Sequence, residues 1–456
     1  MGCSHRIQMI DAAQRSLDLQ YFIFRGDTTG QLILAALTRA AGRGVAIRLL
    51  VDDGDTTDGD EKVLALRTVP GVEVRVFNPF RYRGHIRLVR AIEFAATLAR
   101  LDYRMHNKLL VADNSLALSG GRNIANEVGF QVDPQAQSAD DDVFVTGPVV
   151  HALSGTFDEY WNSKFCDSGR GADAPNRMRT PMPCDGGDPL RSTASTIPPA
   201  LPAASRSQAC WTVNSNWSGP PARVLCDSPD KRRADAGESG QIMARDVLAS
   251  ARQVQTEFLM INPYIIPTRG ESTMLQDLRQ RHVKVGIVTN SLQSTRDILA
   301  YAGYKRSRKP LLREGIDLYE VRAQLGNTRG SGQTPRVSRT GHYGLHGKLM
   351  VFDRKKYFHR SMNFDERSRH LNTEIGLIID SPELADLTAA RFNAMALPEN
   401  AYHPSLVAVS GGTAGRLQWT TQEKGARVTY DKEPSPSPWR RLITSILAWL
   451  PVRREL

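Results

Sequence analysis

The sequence is poor in cysteine and has no long hydrophobic segment. Its 456 residues include five cysteines. They are widely spaced, odd in number and without a Cys-x-x-Cys pair, which argues against a disulfide framework and a zinc site. No run of about 18 apolar residues occurs, which argues against a transmembrane helix. The first residues lack the apolar stretch of a signal peptide. Because the first predicted helix begins close to Met1, we also expect no membrane-anchoring segment before it.

What the chain does have is an excess of positive charge. Lys and Arg number 59 against 48 Asp and Glu, a formal charge of +11. This surplus favours anionic partners, namely nucleic acid, phospholipid headgroups or phosphorylated substrates, without choosing among them. Hydrophobic residues make up 41% and charged residues 23%. Such a composition is typical of a folded soluble protein and excludes wholesale disorder.

Two stretches of the chain share one order of predicted elements. Alternating helix and strand patterns of this kind indicate the α/β class. The recurrence, about 240 residues apart, predicts a duplicated domain. The predicted elements are helix 5–16, strand 17–24, helix 31–41 and strand 44–51 in the first half, and helix 241–251, strand 257–261, helix 273–280 and strand 283–289 in the second.

The halves are separated by a stretch rich in proline, glycine and serine. We interpret residues 167–208 as a mobile linker, because no hydrophobic period survives there. The predicted organisation is a first domain over residues 1–166, the linker, a second domain over 209–397 and a C-terminal extension over 398–456. A second loose stretch, residues 325–339, is either a flexible loop over a site or a surface insertion.

The pattern His-x-Lys-x4-Asp occurs twice. A single match arises by chance in roughly one chain in fifty, but two matches at the same place in a repeat are far rarer. In each copy the His and Lys fall on alternate positions of a predicted strand, so their side chains project from one face. The candidate catalytic residues are His106, Lys108 and Asp113 in the first copy and His346, Lys348 and Asp353 in the second.

The residues that follow the two motifs also correspond. Asn123 and Asn363 each lie ten residues past the motif aspartate. Small residues beside them, Ser361 included, would let backbone amides approach an anion, so we predict phosphate contacts here. Glu374 stands at the start of the next predicted strand, and Asp142 is the residue of the first half that matches it best.

These residue types suit chemistry on a phosphodiester. Paired lysines and amides would neutralise the nonbridging oxygens as charge builds in the transition state. One neutral imidazole can attack phosphorus, while the second protonates the leaving alkoxide and then deprotonates the acceptor. A carboxylate that accepts from Nδ1 fixes each tautomer, a role that suits Glu374 and Asp142. No metal is required. Asp113 and Asp353 end their strands, where turn or ion-pair roles compete with a catalytic one.

The paired motifs resemble the signature of the phospholipase D superfamily. The resemblance extends over nearly the whole chain outside the linker. Several further segments are similar to bacterial cardiolipin synthases, and segments near residues 289–292, 302–304 and 432–434 to their C-type subgroup. The segments that carry the wider similarity are residues 20–23, 50–53, 76–80, 104–108, 120–124 and 363–368.

The resemblance implies two α/β/α sandwich domains, related by a pseudo-twofold axis, with the active site at their interface. It implies phosphatidyl transfer through a phosphatidyl-histidine, which makes cardiolipin from phosphatidylglycerol and a second phospholipid without metal or cofactor. His106 would be the nucleophile and His346 the general acid and base, although the reverse assignment stays open. The implied location is the bacterial inner membrane, bound peripherally. One departure is Arg360, preceded by His359, where the family has glycine; it would crowd the backbone or add a phosphate contact.

Two other functions remain open at this stage. A phosphodiesterase with the same site would hydrolyse phospholipid or nucleic acid, and a lipid-binding protein with a degenerate site would turn over neither. We expect no nucleic-acid partner, because basic residues are not interleaved with aromatic stacking positions. The C-terminal residues 439–454 place tryptophans and arginines around an apolar centre, which predicts an interfacial helix or one docked on the protein's own core. Residues 81–90 are a second basic stretch that either attracts anionic lipid or forms a solvated helix face.

Overall fold

The computed structural model of the protein describes residues 2–54, 60–82, 89, 92–93, 96–126, 136–167, 219–231, 242–325, 342–409 and 412–449. The predicted linker and the loose stretch after residue 325 lie almost wholly outside these ranges, as does most of the basic stretch 81–90. The described parts of both halves belong to one compact unit.

The first half forms a mixed sheet with helices packed against it. Its helices are α1 (Gly2–Ala12), α2 (Thr28–Gly42), α3 (Asp60–Ala65), α4 (Leu98–Leu101) and α5 (Pro148–Trp161), with a 3-10 turn at Leu66–Thr68. Its strands are β1 (Ser16–Tyr21), β2 (Ala46–Asp52), β3 (Val72–Phe77), β4 (Lys108–Ala112), β5 (Leu116–Gly120), β6 (Ala136–Ala139), β7 (Asp142–Thr146) and β8 (Cys166–Asp167).

The second half repeats this arrangement and adds a C-terminal meander. Its helices are α6 (Met243–Arg252), α7 (Arg269–Gln280), α8 (Ile298–Arg313), α9 (Glu366–His370), α10 (Pro382–Ala396) and α11 (Pro438–Leu447). Its strands are β9 (Ala222–Cys226), β10 (Glu257–Ile261), β11 (Lys284–Asn290), β12 (Asp317–Val321), β13 (His342–Leu345), β14 (Leu349–Phe352), β15 (Lys356–Arg360), β16 (Ile375–Ile379), β17 (Ala401–Val409), β18 (Gly412–Glu423) and β19 (Ala426–Tyr430).

The strand orders confirm the duplicated α/β fold. Over the described residues the first sheet runs β7-β5-β4-β1-β2-β3-β8, and the second contains β16-β15-β14-β10-β11-β12 in the corresponding order. In both, three parallel strands are followed by an antiparallel strand that pairs with the first of them. That antiparallel strand, β4 or β14, is the one that each motif leads into, so the repeat places the two motifs at corresponding points of the two sheets.

The hydrophobic core has three parts. We call the folded parts of the first and second halves the first and second lobes. One cluster fills the first lobe between its sheet and helices α1 and α2, and a second fills the matching space in the second lobe. The third contains residues of both sheets and of α5 and α10, such as Phe157 and Phe392, and therefore joins the lobes. Because each sheet is covered on both faces, its central strands read as continuous apolar runs, as in Leu109–Val111.

Several helices begin at polar caps that the sequence supplies. Thr268 and Glu271 form a reciprocal capping box at the start of α7. This cap starts the helix at Arg269, ahead of the predicted start at residue 273. Asp297 accepts from the first turn of α8, and Ser437 does the same for α11.

The chain ends in an antiparallel meander and a short helix. β17 pairs with β12 and carries β18 and β19 outward from the second sheet. α11 then returns to pack on α8. Among the helices of the described ranges, none combines the length and apolar character needed to cross a bilayer.

Candidate active site

His106 is held by backbone contacts with the second lobe. It lies two residues before β4, and its N–H donates to the carbonyl of Thr373 at 2.8 Å, while Thr373 donates to the carbonyl of Arg104. Its Nδ1 lies 2.9 Å from Oε2 of Glu374. An ionised carboxylate only accepts, so Nδ1 carries the proton and Nε2 keeps its lone pair. The predicted pairing of Glu374 with a histidine is present, and it joins the two lobes.

His346 has the reciprocal arrangement. It follows β13, which pairs in parallel with β6 of the first lobe. This pairing brings Asp140, the residue after β6, to the imidazole, and its Oδ2 lies 2.6 Å from Nδ1 of His346. Each motif histidine is therefore oriented by a carboxylate of the opposite lobe. The side chain of His346 is 28% exposed and that of His106 is 10% exposed, so both imidazoles keep some contact with solvent.

The predicted pairing of Asp142 with a histidine is wrong. Asp142 is the first residue of β7, and its carboxylate takes two hydrogen bonds of 2.9 Å from Arg6 and a third of 2.7 Å from Arg122. Asp140 lies two residues before β7, whereas Glu374 lies one residue before β16, so the two carboxylates do not occupy matching sequence positions in the repeat. The three consecutive acids at 140–142 signalled the partner, but only the β6–β13 pairing selects Asp140.

The motif lysines turn back onto the histidine backbone. Nζ of Lys108 donates to the carbonyl of His106 at 2.6 Å, and Nζ of Lys348 to the carbonyl of His346 at 2.8 Å. Each lysine is 1% exposed. Phe22 lies edge-on to the His106 ring. Nζ of Lys108 lies 5.5 Å from the centre of the Phe22 ring. The two positive charges are thus held beside the imidazoles at fixed positions.

Burial lowers the pKa of each group of the first motif. The pKa of His106 falls to about 4, because burial and the Lys108 and Lys348 charges outweigh Glu374. Burial and the Lys348 charge lower the pKa of Lys108 to about 7, against the opposing effect of Glu374. The effect of Lys348 on both groups shows that the two motifs lie within electrostatic reach of each other.

The pKa values of the second motif are also lowered, and so are those of the two carboxylates that contact the histidines. Burial lowers the pKa of His346, with a further contribution from Lys348. Burial by itself would raise the pKa of Asp140 and Glu374, but the neighbouring histidines and lysines lower both overall. At neutral pH the site therefore combines neutral imidazoles with ionised carboxylates that can stabilise an imidazolium.

The two asparagines predicted to contact phosphate, Asn123 and Asn363, have different hydrogen-bond partners. Asn123 accepts from the N–H of Ile23 through Oδ1 at 3.1 Å, and its amide nitrogen has no hydrogen-bond partner among the residues that the structure describes, so it can donate to a ligand. In Asn363 the amide nitrogen donates to the hydroxyl of Tyr264 at 2.8 Å.

Ser361 supports a carboxylate. Its hydroxyl donates to Oε2 of Glu374 and accepts from the N–H of Ile375 at 3.0 Å. The hydroxyl has one proton, and the N–H of Ser361 donates to the carbonyl of Ile375 at 2.8 Å. Ser361 therefore positions Glu374 and has no donor left for a phosphate, contrary to the prediction.

The motif aspartates are turn residues, and their assignment as catalytic is wrong. Asp113 lies beyond the far end of β4, five residues or roughly 16 Å from Lys108 along the strand. Its carboxylate accepts from the N–H groups of Gln14, Arg15 and Ser16. Asp353 takes the same contacts from residues 255–257. Both have positive φ, near 50°, as do the residues after them. Aspartate tolerates this conformation in tight hairpin turns such as these, whose loops are residues 113–115 and 353–355.

Arg360 lies inside the second lobe. It is fully buried, and its Nη2 donates to Oδ1 of Asn262 at 3.1 Å, with the rings of Phe358 and Phe364 about 6 Å away. Its charge contributes to the lowered pKa of Lys348, after burial. Because the side chain is fully buried and Arg360 pairs in register with Gly376 of β16, Arg360 makes no contact with an open phosphate site.

A buried ion pair that the sequence did not single out positions Glu374. Asp227 accepts from the N–H of Glu374 at 3.0 Å and donates its own N–H to the carbonyl of Glu374 at 2.9 Å. Lys231 is fully buried and binds this carboxylate at 2.8 Å. The pair lies just after β9, without a motif of its own. An Asp and a Lys four residues apart are common on protein surfaces, so this spacing does not distinguish the pair in the sequence.

No group of three or more His, Cys, Asp or Glu side chains is arranged to hold a metal ion among the residues that the structure describes. The chemistry available from the side chains is nucleophilic and acid–base catalysis by two imidazoles beside two ammonium groups.

Comparisons with known proteins match this arrangement. A family model described as "Cardiolipin synthase, PLD-like domain" matches residues 6–161 and 245–396, one segment in each lobe. The chain is 32% identical to cardiolipin synthase C of Escherichia coli (strain K12), over 98% of this chain and 92% of that protein. It is 28% identical to an uncharacterized protein of Helicobacter pylori (strain ATCC 700392 / 26695), over 98% of this chain and 86% of that protein.

A solved structure has the same fold. The crystal structure of phosphatidylserine synthase from Haemophilus influenzae Rd KW20 superposes with a TM-score of 0.57 and 14% identity, covering 88% of this chain and 85% of that one.

Proposed function

The chain belongs to the cardiolipin synthase family of phospholipase D-like proteins, and we propose that it makes cardiolipin by transferring a phosphatidyl group from one phospholipid to the headgroup hydroxyl of phosphatidylglycerol. The observation that carries this proposal is the cross-lobe pairing of the histidines, His106 with Glu374 and His346 with Asp140. It supplies two oriented imidazoles, and the adjacent lysines supply the charge that a phosphodiester needs.

In the first step Nε2 of His106 attacks phosphorus. The bond from phosphorus to the headgroup oxygen breaks, and that oxygen takes a proton from His346 in its protonated form, so that an alcohol leaves and a phosphatidyl-histidine remains. In the second step His346 accepts the proton of the acceptor hydroxyl, whose oxygen attacks phosphorus and releases His106. Lys108 and Lys348 neutralise the nonbridging oxygens throughout, and Asn123 offers an amide hydrogen bond.

Two features favour His106 as the nucleophile. Its pKa is lowered to about 4, so the ring stays neutral even in acidic solution, and its smaller exposure restricts rotation of the ring. His346 is more open, which suits a group that exchanges protons first with a leaving alcohol and then with an arriving one.

The substrates place the protein at a membrane surface. Phospholipids with long acyl chains reside in bilayers, so the enzyme would act as a peripheral protein at the bacterial inner membrane. The formal charge of +11 favours a surface rich in anionic lipid. Nucleic acid is not among the proposed partners, because the phosphodiester that this reaction consumes is a lipid headgroup linkage.

Mass spectrometry of lipids tests the proposal. Purified protein is added to vesicles of phosphatidylglycerol, with and without phosphatidylethanolamine, and separately to a labelled oligonucleotide. We expect cardiolipin whose acyl composition matches the supplied lipids. Phosphatidic acid without cardiolipin would instead indicate a hydrolase. Cleavage of the oligonucleotide alone would indicate a nuclease, and vesicle binding without turnover a lipid-binding protein.

The pKa values predict an unusual pH profile. His106 must be neutral, and its pKa of about 4 puts the acidic loss of kcat/KM near pH 4, well below an ordinary histidine. Lys108 must be charged, and its pKa of about 7 means that this charge is lost as pH rises through 7. His346, whose pKa is also lowered, loses its proton in the same direction. We therefore expect kcat/KM to be highest above about pH 4 and below the ordinary histidine pKa of 6.5, because the proton of His346 is lost first as pH rises and the charge of Lys108 is lost near pH 7.

A bound phosphodiester changes the pKa of Lys108 and therefore the pH dependence of kcat. An anion beside Lys108 raises its pKa, so the alkaline limb of kcat should lie at higher pH than that of kcat/KM. Steady-state kinetics on a short-chain soluble phospholipid provide the measurement, and Lys108→Arg, which stays charged, is the control. An acidic limb near pH 6.5 would show that His106 titrates as an ordinary histidine.

A further inference from the structure

The C-terminal helix α11 is fixed to the second lobe through its polar side. Thr444 is fully buried, and the hydroxyl of Ser445 accepts from Lys305 of α8 at 2.9 Å. Nε of Arg441 donates to the carbonyl of Glu433 at 3.0 Å. At the end of the helix Arg306 of α8 donates to the carbonyl of Ala448. These contacts set the rotation of the helix about its own axis.

The opposite side of α11 is apolar and faces solvent. Trp439, Leu442, Ile443 and Ile446 have the i, i+3, i+4, i+7 spacing of a single helical face. They are 71%, 48%, 45% and 56% exposed, and Trp449 just after the helix is 88% exposed. We call these five side chains the outer face of α11. The sequence left open whether this helix docks on the protein's own core, and the structure excludes that for the outer face. Large apolar side chains grouped on an exposed surface indicate a partner.

The charge around the outer face is positive. From Pro438 to Trp449 the chain contains Arg440 and Arg441 and no acidic residue. Exposed Arg306 lies at the C-terminal end of the helix. A cavity of about 400 Å³ adjoins the helix, and its charged lining residues are Lys432, Arg441 and Asp431, two cations and one anion. Cations flanking an apolar face with tryptophan at both ends are typical of a helix at the surface of an anionic bilayer. A second copy of the chain would bring these like charges together, which disfavours a dimer through this face.

Two series of contacts relate α11 to the active site. Arg440 donates to the carbonyl of Thr295, in the loop that follows β11. At the end of β11 the side chain of Asn290 binds both the N–H and the carbonyl of Leu345, at 2.9 and 2.8 Å. Leu345 directly precedes His346. The first turn of α11 therefore docks on the same edge of the second sheet that carries His346.

We propose that the outer face of α11 docks on the surface of an anionic phospholipid bilayer, with the helix lying in the headgroup plane and the edge of the second sheet that carries His346 held toward the lipid. The choice of a phospholipid surface rests on the proposed function, whose substrates are phospholipids. The docking surface adds a fixed orientation, because α11 is clamped to the lobe and does not extend from it as a free tail.

The test compares vesicle binding with turnover of a soluble substrate. The full chain carries Leu442→Ser and Ile446→Ser together, and Leu387→Ser, a leucine of α10 that is 45% exposed, is the matched control. Binding is measured by sedimentation with phosphatidylglycerol vesicles and with phosphatidylcholine vesicles. Since both changed residues are exposed, the thermal midpoint should stay that of the parent protein.

We expect the double variant to bind phosphatidylglycerol vesicles at least about tenfold more weakly, and to lose cardiolipin synthesis on vesicles in proportion. Turnover of a short-chain soluble phospholipid should be unchanged, and the control should behave as the parent does. The parent should bind phosphatidylcholine vesicles more weakly than phosphatidylglycerol vesicles.

Three results would overturn the docking surface: undiminished vesicle binding by the double variant, equal binding of the parent to both vesicle types, or a parent oligomer that the two substitutions dissociate. The docking surface and the proposed reaction fail separately. Vesicle binding that depends on α11 without cardiolipin production would contradict the reaction alone. Cardiolipin production with intact binding by the double variant would contradict the docking surface alone.

Discussion

His106→Ala and His346→Ala each reduce cardiolipin synthesis by at least about a thousandfold, because each removes a group that exchanges a proton or a covalent bond with the substrate. The thermal midpoint is measured alongside turnover, because His106→Ala removes a hydrogen-bond partner from the buried carboxylate of Glu374 and activity must be compared per folded molecule. Mass spectrometry of the lipid product and kinetics on a soluble phospholipid provide the measurement. His151→Ala, an exposed histidine of α5, is the control and should retain full turnover.

A substrate with a good leaving group separates the two histidines. A nitrophenyl phosphodiester needs no protonation of its leaving group, so His346→Ala should still release nitrophenolate once per enzyme and accumulate phosphohistidine at His106. His106→Ala should show no such burst. Peptide mapping under alkaline conditions, where phosphohistidine survives, locates the modified residue. A burst from His106→Ala that is absent from His346→Ala would reverse the assignment, and near-normal turnover by either variant would contradict the two-histidine mechanism.

Asp140→Asn should reduce kcat by about a hundredfold or more. The amide is uncharged and can donate, so it no longer stabilises the His346 imidazolium or selects the tautomer with a proton on Nδ1. Asp142→Asn is the matched comparison two residues away. Its carboxylate is the partner of buried Arg6, so its loss should lower the free energy of unfolding by roughly 3 kcal/mol while turnover per folded molecule stays within about twofold.

Kinetics and urea unfolding on the same two preparations give the measurement. Glu374→Gln should resemble Asp140→Asn, because Glu374 has the corresponding contact with His106. If Asp142→Asn abolished turnover in folded protein while Asp140→Asn did not, the carboxylate assignment read from the sequence would be right and the contact at His346 would not matter in catalysis.

The family, the fold class and the reaction type followed from the sequence. The family-model match and the relative from Escherichia coli confirm the resemblance to phospholipase D-like cardiolipin synthases, and the strand orders confirm the repeat. Glu374 was recognised from its place at the start of a strand. Hydrophobic period and motif spacing are local properties, and they record which residues share a face and which faces are buried.

The sequence by itself determined that two His-Lys motifs stand at equivalent points of a duplicated α/β chain. Only the tertiary structure decided that Asp140, and not Asp142, orients His346, because that contact spans 206 residues and depends on how β6 pairs with β13. It also decided that Asp113 and Asp353 hold hairpin turns, that Asp227 and Lys231 fix the backbone of Glu374, and that α11 turns its apolar side outward. Contacts between distant segments follow from packing and strand register, which a local pattern does not contain.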